Sequence, residues 1–120
     1  MVIYIQRIYQ SDIDHEGVRI LIDRIWPRGI SKQKVDIWCK DIAPSHELRK
    51  WYGHKHDKWP EFKSRYFAEL DSNEELVIDF IDRYRKEKVI LLFGSKEMNL
   101  NNANALKEYL ETKIDQNKTS

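Results

Sequence analysis

Val89-Ile90-Leu91-Leu92-Phe93-Gly94-Ser95-Lys96 is the stretch whose reading decides the fold. An unbroken apolar run led by two β-branched residues leaves no polar face, which is the pattern of a central parallel strand buried on both sides. The residues before it agree. Leu76, Val77, Phe80, Ile81 and Tyr84 recur at helical spacing, and Lys86-Glu87-Lys88 makes the turn, so a helix delivers the chain to the strand. Gly94-Ser95-Lys96 then opens a tight loop at the carboxyl end of the strand, where α/β sheets place ligands.

Upstream, Val18 to Ile22 reads as a second buried strand, running into Asp23-Arg24-Ile25-Trp26-Pro27-Arg28-Gly29. Two guanidiniums beside a large aromatic, stiffened by proline, form a natural set for recognising a carboxylate or phosphate. Residues 2–9 form a first strand on the strength of Ile3, Tyr4, Ile5 and Ile8. Asp12 to Gly17 is an acidic loop. The connection is too short for a full crossover helix, so the sequence leaves open whether these two strands pair antiparallel or stand apart. Val35 to Ile42 alternates imperfectly and suggests a short strand.

Ala43-Pro44-Ser45 is a start signal, with Ser45 capping a short helix that ends at Gly53 in a left-handed cap. A helix from about Lys58 to Leu70 tolerates Pro60 in its first turn and presents Trp59, Phe62, Tyr66 and Leu70 on one face. Ser72-Asn73-Glu74-Glu75 has the form of a capping box opening the next helix. A last helix, about Asn102 to Ile114, buries Ala103, Leu106 and Leu110. The expected whole is an α/β protein: a small single-domain layered fold spanning 1–114, with a short, mostly parallel sheet flanked by about four helices. Residues 115–120 read as a frayed C-terminal tail.

Composition narrows the function. With 120 residues, 41% apolar and 34% charged, the chain has room for one core. Its 21 basic and 20 acidic residues leave a net charge of +1, which argues against generic nucleic-acid binding. No apolar stretch approaches the ~20 residues that span a bilayer, and the first residues lack the pattern of a signal peptide. Cys39 is the single cysteine, so no intrachain disulfide forms, and a cytoplasmic setting is expected.

If the two strands before Asp23 and Gly94 are parallel neighbours, both loops open onto one edge of the sheet. Asp23, Arg24, Trp26, Arg28, Ser45, Arg49, Trp51 and Lys96 are then the candidate residues of a pocket for a small anionic ligand, phosphate- or carboxylate-bearing, with a nucleotide-like body among the options. The competing structural reading pairs Arg24 with Asp41 or another carboxylate and leaves Trp26 and Pro27 to cap the core. His54, His56 and Asp57 match no standard zinc spacing, so no metal or other cofactor is expected. Cys39, between Trp38 and Lys40, reads as a small buried hydrophobe rather than a nucleophile. No phosphate loop, nucleophile elbow or nucleophile–base pair appears, and catalytic residues are unassigned. Asp23, Asp41 and Lys96 are the titratable groups at that edge if there is chemistry. A second reading makes the surface around Trp51, Tyr52 and Trp59 a protein–protein or nucleic-acid adaptor without catalysis. Oligomeric state is not legible.

Leu21-Ile22-Asp23-Arg24-Ile25-Trp26-Pro27-Arg28-Gly29, Ala43-Pro44-Ser45 and Leu48-Arg49-Lys50-Trp51-Tyr52-Gly53-His54 resemble the YeaO-like proteins, uncharacterised bacterial proteins classed under domain of unknown function 488. The resemblance runs on through Trp59, Phe62 and Tyr66 to Leu106–Leu110. It implies a compact α/β fold with no established reaction, and it adds weight to Arg24, Trp26, Arg28, Ser45, Arg49 and Trp51. Similar proteins tend to carry small alanines and an acid after the last strand, and a His-Asn-His-Ala string before the last helix. This chain instead has Phe93-Gly94-Ser95-Lys96-Glu97 and Leu100-Asn101-Asn102-Ala103. Any acid–base role tied to those histidines is therefore absent from its residues.

Overall fold

Every strand runs the same way. In the computed structural model, which describes residues 1–10 and 16–118, β1 (Val2–Arg7), β2 (Val18–Leu21), β3 (Ile37–Trp38) and β4 (Lys88–Phe93) form one parallel sheet in the order β1-β4-β2-β3. The helices are α1 (His46–Tyr52), α2 (Trp59–Ser72), α3 (Glu74–Tyr84) and α4 (Asn102–Lys118). The expected α/β class is therefore observed. β1 and β2 stand apart, because β4 inserts between them through Ile5↔Leu91 and Ile20↔Leu91. Most of the acidic loop expected at Asp12–Gly17 lies outside the described residues.

Alternation along β4 divides the interior. Val89, Leu91 and Phe93 join Ile3, Ile20 and Ile22 in the larger core beneath the helices. Ile90 and Leu92 face the other way, with Ile8 and Leu21, against Trp26, Ile30 and Val35 of the loop after β2. Each such side chain contributes about 1.5–3 kcal/mol on full burial. The loop carrying the arginines thus also closes the second face of the sheet, which holds it in place.

Several boundaries differ from expectation for visible reasons. β3 is only Ile37–Trp38, because a 3-10 turn over Lys40–Ile42 ends the pairing. Ser72 does not open α3. α2 continues through it, its hydroxyl donates back to the Ala68 carbonyl at 3.1 Å, and Asn73 becomes the junction without a side-chain cap. α4 continues to Lys118, past the expected end at Ile114. The Ser45 and Gly53 caps are as expected: Ser45 Oγ accepts from the Leu48 amide at 3.1 Å, and Gly53 is left-handed at φ 55°.

Tyr66 ties α2 to the turn before α1. It is fully buried, and its hydroxyl donates to the Ile42 carbonyl at 2.7 Å. Tyr66→Phe strands that carbonyl, so a stability loss of about 1–3 kcal/mol is expected in urea denaturation. A loss below a few tenths would show that water replaces the hydroxyl.

Candidate functional site

Because the strands are parallel, their carboxyl ends share one edge, and a cavity of about 520 Å³ opens there between the loops after β2 and β4. Its rim is braced by backbone acceptors. Arg7 Nε donates to the Ser95 carbonyl at 2.9 Å, and the Tyr9 hydroxyl donates to the Arg28 carbonyl at 2.8 Å. The volume falls in the range that encloses most of a drug-sized molecule.

Asp23 stands at the junction. Its Oδ2 accepts from the Gly94 amide at 2.8 Å and its Oδ1 from Asn102 Nδ2 at 3.1 Å, so one carboxylate ties β2, β4 and α4 together. The Trp38 indole donates to the Asp23 carbonyl at 2.7 Å. Burial pushes the Asp23 carboxyl above its ordinary value, opposed by the hydrogen bonds from Asn102 and Gly94 and by Arg49 nearby. The folded state therefore holds this proton more tightly than the unfolded chain does. The stability that Asp23 contributes is greatest below the ordinary carboxylate range and declines as pH rises through its raised folded value. Urea midpoints of the protein and of Asp23→Ala should accordingly draw together as pH rises above the ordinary carboxylate range; a gap that widens in the protein's favour contradicts this.

The residues singled out from sequence divide in two. Asp23, Arg24, Trp26, Arg28 and Arg49 line the cavity. Arg24, however, is committed: its Nε donates to the Pro44 carbonyl and its Nη2 to the Ala43 carbonyl, both at 3.0 Å. Among the described residues it pairs neither with Asp41 nor with any other carboxylate. Arg28 and Arg49 are exposed at the cavity, and among the described residues neither guanidinium makes a hydrogen bond or ion pair. Trp26 donates to the Ile30 carbonyl at 2.9 Å and meets Trp38 edge-on, with centroids 5.4 Å apart.

Ser45, Trp51 and Lys96 stand elsewhere. The Ser45 amide and hydroxyl both donate to the Glu69 carboxylate, at 2.9 and 2.5 Å, so the start of α1 already holds an anion belonging to the chain. Trp51 shares that separate groove, its ring flanked by the Arg65 guanidinium at 4.2 Å and the Lys58 ammonium at 4.8 Å. Lys96 is exposed and outside the cavity wall. Helical spacing brings Arg49 to one side of α1 and Trp51 to another, and two positions of separation are enough to part them.

Other wall residues were not singled out as site residues. Tyr9 arrives just past β1, and Asn102 opens α4. Left-handed backbone at Gly53 and His54 (φ 55° and 57°) turns His54 into the wall beside Tyr52. An aromatic after a strand and an asparagine at a helix start were the available signals. The Tyr52 hydroxyl is buried with no hydrogen-bond partner among the described residues. Burial pushes the Cys39 thiol up, which disfavours the thiolate a nucleophile needs. Among the described residues no group of three or more His, Cys, Asp or Glu side chains is placed to hold a metal ion, and no helix is long and apolar enough to cross a membrane.

Fold and cavity together define a small parallel α/β protein with a ligand-sized pocket at the carboxyl edge of its sheet. It belongs to the DUF488 family: the family described as "Inactive DUF488-N3 subclade" matches residues 2–120. The chain is similar to the uncharacterized protein YeaO of Escherichia coli, 36% identical over 114 residues that take in 93% of this chain and 99% of YeaO. It is also 50% identical over 74 residues to the uncharacterized proteins Rv3073c of Mycobacterium tuberculosis and Mb3100c of Mycobacterium bovis. Those matches take in 60% of this chain and span 63% of each mycobacterial relative. No solved structure matches the chain significantly. The YeaO-like resemblance read from the Asp23–Gly29 and Ala43–His54 strings is thereby established.

Proposed function

We propose that this DUF488 protein binds a small organic anion in the cavity after β2 and β4 and does not transform it. The observation that supports this most directly is the pair Arg28 and Arg49, two guanidiniums at one cavity that, among the described residues, make no hydrogen bond or ion pair with a carboxylate. Unpaired guanidiniums beside aromatic walls favour a carboxylate or phosphate on a body large enough to fill the space. Absence of turnover is supported by the groups at hand. Both Asp23 oxygens are engaged in holding the loops, the Cys39 thiol is pushed up, and the matched subclade is described as inactive. The adaptor reading leans on Trp51, whose ring is already flanked by two cations of its own chain. A lone cysteine fits a reducing cytosol.

Thermal unfolding against carboxylates, sugar phosphates and nucleotides tests the reading. A ligand at a hundred times its Kd stabilises the fold by about 2.7 kcal/mol. Arg28→Ala and Arg49→Ala should melt like the unaltered protein without ligand and lose the ligand-induced shift. An unresponsive panel, or shifts that survive both substitutions, overturns the proposal.

A further inference from the structure

We infer that the anion is carried by a nitrogen heterocycle with an N–H or amino donor, the chemistry of a nucleoside monophosphate. This rests on the anion-binding reading above and adds to it the identity of the ligand's body. The decisive residue is Asn102. Its Nδ2 donates to the Ile22 carbonyl at 2.9 Å and to Asp23 Oδ1 at 3.1 Å, and these two acceptors use both amide hydrogens and fix which way the amide points. Its Oδ1 therefore stands as an acceptor in the cavity wall, and among the described residues nothing donates to it. The neighbouring Asn101 offers no such atom: its Nδ2 donates to the Glu97 carbonyl and its Oδ1 accepts from the Asn104 amide.

The wall is thus chemically two-sided. Arg28 and Arg49 want an anion, and Asn102 Oδ1 wants a donor. Tyr9, Trp26, Tyr52 and Trp59 line the same cavity, and aromatic walls favour a flat ring over a sugar or an aliphatic chain. The buried, unpartnered Tyr52 hydroxyl adds a polar atom that a heterocycle nitrogen or carbonyl would satisfy. A bare phosphate or short dicarboxylate meets the arginines and leaves the rest of the wall unmet. A flat ring bearing a donor and joined to a phosphate meets all of it.

Calorimetric titration of the intact protein with AMP, GMP, CMP and UMP, against ribose 5-phosphate as the ringless anion, tests the inference. At least one nucleotide should bind about tenfold or more tightly than ribose 5-phosphate. Methylating every donor nitrogen of that base (N6,N6-dimethyl-AMP, for AMP) should remove most of the advantage, since a site acceptor is then left unpaired. The change is made in the ligand because Asn102 also holds Asp23. Nucleotides that bind no better than ribose 5-phosphate, or methylated bases that bind as tightly as their parents, overturn the inference. Anion binding that Arg28→Ala abolishes would still stand in that case. If neither nucleotides nor ribose 5-phosphate bind, and no anion of the wider panel does, both readings fall together.

Discussion

Arg24→Ala is expected to destabilise the protein by about 2–4 kcal/mol, whereas Arg28→Ala, four residues on, changes stability by no more than about 0.5 kcal/mol. The two arginines look equivalent in the sequence and do different work. Arg24 places two charge-assisted hydrogen bonds on the carbonyls of Ala43 and Pro44, which are buried residues immediately ahead of α1. Removing it strands both carbonyls and loosens the segment that sets the direction of α1, and with it Arg49. Loss of ligand binding in Arg24→Ala would then follow from lost structure, and in Arg28→Ala from a lost contact. Urea denaturation of both variants separates the two cases. Equal, small losses would show that water replaces the Arg24 clamp, and Arg24 would return to the set of free ligand donors.

Gly94→Ala is expected to lower stability by about 2–4 kcal/mol and to abolish ligand binding. A β-carbon at this position would lie 2.9 Å from Asp23 Oδ2 and 3.7 Å from two carbons of Pro27. The same oxygen accepts the Gly94 amide at 2.8 Å, so it has no direction of retreat that keeps the bond. Either the carboxylate swings away and leaves a half-buried amide unpaired, or the two loops separate and the cavity changes shape. Thermal melts with and without ligand read both effects. A variant as stable as the unaltered protein would mean that Asp23 does not tie β2 to β4 in solution.

Much of this architecture was written locally. The apolar run Val89–Phe93 declared a doubly buried strand, and Ser45 and Gly53 declared the two ends of α1, because burial pattern and capping act over a few residues. The position of the cavity was legible for a related reason. Asp23-Arg24-Ile25-Trp26-Pro27-Arg28-Gly29 and Gly94 each follow a strand, and parallel strands deliver such loops to one edge. Ser72 shows where local reading stops: whether its hydroxyl caps α3 or bonds back within α2 depends on where α2 ends, which packing decides.

What only the tertiary structure decided is which donor meets which acceptor. The sequence by itself determined that arginines would stand after β2. It did not determine that Arg24 would meet carbonyls 19 and 20 positions away while Arg28, among the described residues, met no partner through its guanidinium. Nor did it reveal that Glu69 would take the start of α1, or that Asn102, 79 positions from Asp23, would donate to its carboxylate at the cavity wall. The order β1-β4-β2-β3 is of the same kind, since β4 must enter between strands made far earlier in the chain. A guanidinium or an amide accepts many partners at equal chemical cost, so its partner is chosen by which backbones the core has brought within hydrogen-bonding distance.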